Sequence, residues 1–228
     1  GSGMASWSWK VGGAPTATNS ETSGAMTANS VSLNGSLQAS YTPSGSPDIY
    51  PNKMSINTAN GISIIQYEGI EEAPTYVART IPHGLSQAPE LIFGSNLTDA
   101  TQGRVVGATV MNASWEWVVW LETANAAYDT GSGMWNDTAP TASIWTVKDA
   151  QANAWLGKQY IMYCIHSVEG FSKISKYTGN GDDDGVFVYT GFRPAYVMIR
   201  KLDPGNNWMI GDSVRSPYNP LNNWLQAR

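Results

Sequence analysis

The stretch Gly61-Ile62-Ser63-Ile64-Ile65-Gln66-Tyr67-Glu68-Gly69 recurs, with one inserted residue, as Gly170-Phe171-Ser172-Lys173-Ile174-Ser175-Lys176-Tyr177-Thr178-Gly179. Both copies are short β-rich runs bounded by glycine, which is typical of a strand between turns. Each is followed by a strand, a turn and a second strand, at residues 91–93 in the first copy and 197–199 in the second. The self-similarity predicts a β unit that occurs twice.

Further β-rich runs separated by turn residues extend from the two copies, and helix signals are nearly absent. We therefore expect an all-β fold of antiparallel, β-sandwich-like repeat units with an extended N-terminal arm. The run Val186–Tyr189 is apolar on both faces, so it is expected to be a central strand covered twice. The predicted strands are 62–67, 75–81, 90–94, 104–111, 116–121, 143–147, 159–166, 173–177, 185–189, 196–201 and 208–211.

Composition divides the chain into four segments. Residues 1–3 are interpreted as a cloning remnant and residues 4–60 as an N-terminal strand followed by a Gly/Ser/Thr/Pro-rich arm. Residues 61–169 form a complete unit and residues 170–228 a second, partial one, which lacks a counterpart of the closing run 160–166. Trp7-Ser8-Trp9-Lys10 alternates like such a closing strand. It could complete the second unit in cis or from a neighbouring subunit, or the sequence could cut across repeats.

Charge and cysteine content exclude several classes of partner. The chain has 228 residues, 14% of them charged, and a net charge of −5. No basic field is available for nucleic acid, and no apolar run approaches the ~18 residues of a membrane span, so neither nucleic-acid binding nor membrane insertion is expected. The single Cys164 excludes an internal disulfide and any multi-cysteine metal site, and it is expected to be a small buried hydrophobe.

Several longer runs carry a resemblance to known proteins. They include 7–10, 12–20, 60–64, 81–85 with 88–89, 135–143, 166–173, 177–181 and 187–195. Together these runs resemble a repeat family of virion proteins of tailed, mostly marine phages. The resemblance covers nearly the whole chain, and the last two runs are specific. The sequence departs from the family pattern at the acidic run Asp182-Asp183-Asp184 and in the absent closing part of the last unit.

Membership of that family would imply a virion location, in a tail-fibre-like or other exposed component of undefined biochemical activity. It supplies no catalytic residues. The residues themselves also give no support for an enzyme, since neither a nucleophile elbow nor a phosphate-binding loop is present. The adjacent pair Glu71-Glu72 is interpreted as solvated loop charges rather than as the facing carboxylates of a glycosidase, because neighbours in a strand point to opposite faces.

The two histidines are expected to be structural. His83 lies in a Pro-His-Gly turn, where bonding to nearby backbone is favoured over a ligand or metal role. His166 ends a predicted strand and is expected to be half-buried and hydrogen-bonded.

The acidic turn after residue 179 imitates the start of a calcium loop, with candidate ligands Asn180, Asp182 and Asp184. The twelfth position is Gly191 where a calcium loop has Glu, so a solvated hairpin turn is favoured over bound Ca²⁺. No other cofactor is expected.

Tryptophan and tyrosine are abundant, and their rings could stack on sugars. For any single ring, packing in the core or between subunits is favoured. Trp115, Trp117 and Val119 are expected on one face of a strand. The candidate ligand-stacking residues are Trp115, Trp117, Trp135, Trp155, Trp208, Tyr218 and Trp224.

These observations lead to an expected function of structural and adhesive kind. The chain is expected to be a non-enzymatic virion protein that forms a homo-oligomer, most plausibly a trimer whose arm crosses to a neighbour. Its other expected partners are further virion proteins and a host-surface glycan. The alternative is a carbohydrate-binding, lectin-like module that uses exposed Trp and Tyr rings. A depolymerase would require facing acidic side chains in a cleft, for which the sequence gives no reason.

Overall fold

The computed structural model describes residues 8–71, 76–148, 153–182, 184–218 and 222–227. It confirms the all-β, sandwich-like fold class. Among the described residues, the helical content is one three-residue 3₁₀ turn at Gly131–Gly133. The strands are β1 Val31–Leu33, β2 Ser36–Leu37, β3 Lys53–Asn57, β4 Ile62–Glu68, β5 Arg79–Pro82, β6 Leu91–Asn96, β7 Val105–Ala108, β8 Trp117–Trp120, β9 Tyr128–Asp129, β10 Ile144–Val147, β11 Gln159–Ile165, β12 Tyr196–Ile199, β13 Trp208–Asp212 and β14 Leu225–Ala227.

Nine strands form the main sheet, in the order β2-β1-β3-β4-β11-β6-β7-β8-β9. All neighbouring pairs are antiparallel except β1 and β3, which are parallel. The central strand is β11, where Tyr160, Met162 and Cys164 alternate as fully buried residues. This period-two burial follows from the alternation in the sequence and anchors the register, because a one-residue slip would turn these side chains to the other face.

A two-stranded ribbon of β5 and β10 forms the second layer. Ile81 and Trp145 lie opposite each other in the ribbon, and both are buried in the core. The Trp145 ring meets the Tyr67 ring of β4 edge-on, with centroids 6.1 Å apart. The core therefore lies between the main sheet and this ribbon.

Part of the predicted N-terminal arm is built into the main sheet, which corrects the interpretation of residues 4–60 as one strand followed by an extended arm. β1, β2 and β3 all lie within this region, and the predicted boundary at residue 60 lies in the turn between the antiparallel strands β3 and β4. Met54 and Ile56 pack in the core. Polar side chains of the same region form hydrogen bonds with backbone groups of other segments. For example, Ser32 Oγ donates to the Gly12 carbonyl at 2.6 Å. Polar composition concealed these strands because their hydroxyls and amides are satisfied internally.

The second sheet, β12-β13-β14, repeats the antiparallel meander β6-β7-β8. In the first meander Leu91 pairs with Ala108, and in the second Tyr196 pairs with Asp212. By strand order, β13 is the counterpart of β7 and β14 is the counterpart of β8.

The part of the second unit that precedes this meander differs from the prediction. The predicted strands at 173–177 and 185–189 are wrong, because those described residues form no strand. Val186–Tyr189 is not a doubly covered strand, since Phe187 is 89% exposed. In the first unit, β4 pairs with β11. Among the described residues no strand takes the place of β11 beside β12, so the 173–177 segment has no equivalent partner.

Three earlier expectations fall on residues that are outside the described ranges: the cloning remnant at 1–3, Trp7 of the N-terminal run, and Thr75 of the predicted strand 75–81, of which β5 begins at Arg79. The neighbouring Trp9 contacts β12, where its ring meets Tyr196 edge-on at 5.5 Å. Within the described ranges, no helix has the length and apolar character needed to cross a membrane.

Candidate functional site

Two of the candidate stacking residues are buried. Trp115 and Trp135 are 1% and 0% exposed and meet edge-on, with ring centroids 5.6 Å apart. Gly107 of β7 makes this possible, because a Cβ there would lie 2.8 Å from both rings. Trp115 has a φ of +60°, precedes β8, and so does not share a strand face with Trp117. Burial removes Trp115 and Trp135 from the set of rings that a ligand can reach.

The remaining candidates differ in exposure. Trp117, Trp155 and Trp208 are half-buried. Tyr218 and Trp224 are exposed, Tyr218 at 83%. In the described part of the chain, no ring contact joins Tyr218 to Trp224. The structure thus offers single exposed rings in the C-terminal region and no preformed pair of them.

A joint centred on Arg200 connects the second sheet to the loop after β8. The Arg200 guanidinium donates to three carbonyls of that loop, those of Trp120, Thr123 and Asn125. Trp208 Nε1 donates to the Trp120 carbonyl at 3.2 Å. Two backbone bonds, Ala127 N to Leu202 O and Gly205 N to Ala124 O, complete the joint. Sequence reasoning missed this role, and the one signal that could have indicated it is an arginine directly after an apolar strand.

Two of the runs that carry the family resemblance meet in space. Residues 167–173 and 189–191 line a cleft of about 300 Å³. Its floor is a tight turn in which Val168 and Ser172 exchange backbone hydrogen bonds. Its other wall carries Tyr189, which is 77% exposed. Both runs are recognisable in the sequence, but their proximity in space was not predicted from it.

The side chains of both histidines form hydrogen bonds with backbone groups. His83 is fully buried, its Nδ1 accepts from the Leu85 amide, and its Nε2 lies 3.1 Å from the Thr141 carbonyl. This confirms the expected structural role, and burial lowers the pKa of His83 to about 4. His166 is more buried than expected. Its Nδ1 lies 2.8 Å from the Ser167 carbonyl, whereas no described residue is a hydrogen-bond partner of Nε2.

Glu71 corrects the expectation of a solvated loop charge. It is buried, accepts a hydrogen bond from the Val77 amide, and forms an ion pair with Arg79 Nε. Glu72 lies outside the described residues. A buried carboxylate requires such partners, and these hold the start of β5 against the segment that follows β4.

The candidate calcium ligands form hydrogen bonds within their own loop. Asn180 Oδ1 accepts from the Asp182 amide, Asp182 Oδ1 accepts from the Asp184 amide, and Asn180 Nδ2 donates to the Asp184 carbonyl. Asp183 is outside the described residues. Across the described ranges, no group of three or more His, Cys, Asp or Glu side chains is arranged to hold a metal ion.

Cys164 lies on the buried face of β11 as a free thiol, as expected. Burial raises the pKa of this thiol, so the residue acts as a small apolar side chain.

A family model for a domain of unknown function, DUF7483, matches residues 44–228. The chain belongs to this family. The DUF7483 match begins ahead of β3 and extends past β14, so it takes in the second sheet, the Arg200 joint and the cleft. No curated protein and no solved structure matches the chain.

Proposed function

We propose that this DUF7483 protein is a non-enzymatic structural and adhesive component of a phage virion. In this proposal it belongs to a tail-fibre-like or other appendage, assembles as a homo-oligomer, most plausibly a trimer, and contacts other virion proteins and the host surface. The sequence resemblance described above supports the virion location.

One structural observation supports the adhesive role most directly. The most exposed large apolar side chains all follow residue 185: Phe187, Val214, Tyr218 and Tyr189 are exposed by 89%, 87%, 83% and 77%. Among the described residues before the second repeat copy, the largest such exposure is 56%, at Trp9. Apolar surface concentrated in one region is typical of an interaction site.

Mass measurement under native conditions tests the assembly. We expect oligomers of the 24.6 kDa chain, with three copies as the main species, at micromolar concentration. The triple variant Phe187→Ser, Val214→Ser, Tyr218→Ser should shift the population to monomer, because it removes the exposed apolar surface.

The matched control replaces three exposed apolar residues of the first unit, Leu97→Ser, Tyr128→Ser and Leu156→Ser. This variant should assemble like the parent protein. A parent protein that is monomeric at micromolar concentration would overturn the oligomer, and equal loss of assembly in both triple variants would contradict the C-terminal location of the surface.

A carbohydrate-binding module is the second candidate function. Two of the predicted stacking residues, Tyr218 and Trp224, are accessible to a ligand, which supports it. Binding of a glycan by a protein that does not self-associate would favour this alternative over assembly.

A further inference from the structure

The cleft between residues 167–173 and 189–191 has a composition suited to one class of ligand. We propose that it binds one neutral sugar residue of a glycan, an inference that rests on the adhesive function proposed above and gives that function a specific site. The cleft volume of about 300 Å³ lies at the lower end of the range for small-molecule sites, so it accommodates one monosaccharide rather than a long oligosaccharide.

The floor of the cleft is a rigid turn. The Val168 amide donates to the Ser172 carbonyl and the Ser172 amide donates back to the Val168 carbonyl, at 3.0 and 2.9 Å. Gly170, at the tip of the turn, has a φ of +73°, a conformation that favours glycine. A preformed floor lowers the entropy that a ligand must lose on binding, which suits recognition of a small polar molecule.

The wall opposite the floor supplies an aromatic ring. Tyr189 is largely exposed although it lies next to the cleft, so its ring face is available to a ligand without unfolding of the protein. An amphipathic tyrosine ring offers an apolar face to the C–H face of a sugar and a hydroxyl group to its polar edge.

The charges of the cleft argue against an ionic ligand. Glu169 and Lys173 both line it, one anionic and one cationic, so the cleft has no net charge to attract a phosphate or a metal ion. A carboxylate accepts hydrogen bonds and an ammonium donates them, and a ring with several hydroxyl groups satisfies both kinds of partner. Ser167 Oγ accepts from the Ile174 amide, which leaves its own hydroxyl hydrogen to donate.

Backbone amide shifts in two-dimensional NMR test the site. Galactose, glucose and N-acetylglucosamine are added separately at millimolar concentration, with glucuronate and inorganic phosphate as charged comparators. We expect at least one neutral sugar to give saturable shifts at Gly170 and Gly191, and the charged probes to give weaker ones. Tyr189→Ala should weaken the binding about tenfold, the size expected when a stacked ring is lost.

Tyr177→Ala is the matched control, since Tyr177 is an exposed tyrosine of the same repeat copy that does not line the cleft. It should bind sugar like the parent protein. The site is overturned if no sugar shifts these amides, if Tyr189→Ala binds as tightly as the parent, or if phosphate binds more tightly than the neutral sugars. Sugar binding that fails in a protein that still forms trimers rejects this site alone. Sugar binding that persists in a protein that is monomeric at micromolar concentration rejects the assembly and keeps the site.

Discussion

The meanders β6-β7-β8 and β12-β13-β14 have the same strand order and the same antiparallel direction, yet their side chains lie in different surroundings. In the first meander Ile92, Val105 and Val118 are fully buried. In the second, all four residues of β12 are half-buried and the first two of β14 are exposed. Strand pairing alone therefore does not make a core here; additional partners do.

Those partners are visible around the first meander. β6 pairs on its other edge with β11, and the layer of β5 and β10 covers the sheet. In the described part of the chain the second meander has neither, and the Arg200 joint attaches it to the first unit. The difference accounts for the half-buried side chains of β12 and the exposed ones of β14, because no covering layer packs on these strands within the described ranges.

Truncation of a tryptophan should reveal the largest difference in stability between the two regions. Trp135→Ala is expected to lower the free energy of unfolding by about 3–5 kcal/mol, because it opens a cavity beside Gly107 and Trp115. Trp208→Ala in the second sheet should cost about 2 kcal/mol or less, since that ring is half-buried. Urea unfolding of the two variants measures the difference.

Trp135→Phe separates packing from hydrogen bonding in this experiment. The Trp135 Nε1 is buried and has no hydrogen-bond partner among the described residues, so phenylalanine removes this donor while it keeps an aromatic ring. It should cost clearly less than alanine. Equal costs for Trp135→Ala and Trp208→Ala would show that the two regions do not differ in packing.

Acidification should destabilise the first unit through His83. The folded state lowers the pKa of His83 to about 4 from an ordinary value of 6.5, because burial opposes the charged form. The folded protein therefore favours the neutral form of His83. The contribution of this preference to the free energy of unfolding is fully present above pH 6.5 and is lost as the pH falls towards 4. Such a shift corresponds to about 3 kcal/mol.

The difference in unfolding free energy between the parent and His83→Gln, measured across that pH window, isolates this contribution. Glutamine can still donate to the Thr141 carbonyl, and it does not titrate. The advantage of the parent should shrink as the pH falls, and a difference that stays constant from above pH 6.5 down to 4 contradicts the prediction.

Sequence patterns predicted the parts of the fold that depend on alternation within one segment. β4, β6, β10 and β11 were expected close to their observed positions, because apolar residues alternate within each run and turns flank it. The same pattern gave the wrong result at 173–177. β-propensity depends on the neighbouring strands, and the β11 partner that makes β4 a strand has no counterpart there among the described residues.

In residues 31–57 the error was the reverse: strands β1 to β3 were not predicted, because the composition of this region is polar. Ser32 and Asn57 are buried polar residues whose side chains donate to the carbonyls of Gly12 and Lys10. Such bonds join residues twenty or more positions apart, so no local window can show them. The bond from the Leu85 amide to His83 was predicted because it forms within a turn. The His83 contact with the Thr141 carbonyl, the cleft and the Arg200 joint all require knowledge of the tertiary fold.

Weakening of the Arg200 joint should have the smallest effect on stability and the most local one. Arg200→Lys is expected to cost about 1–2 kcal/mol, because an ammonium cannot donate to the Trp120, Thr123 and Asn125 carbonyls in the same fork geometry. Hydrogen exchange should accelerate at amides of β12 and β13 and stay unchanged in β11, which lies at the centre of the main sheet. Arg193→Lys, at an exposed position, is the control and should change neither quantity. If exchange accelerates equally in β11 and β13, the two sheets unfold as one unit and the joint is part of a single core; if neither changes, the second sheet is held by contacts other than this guanidinium.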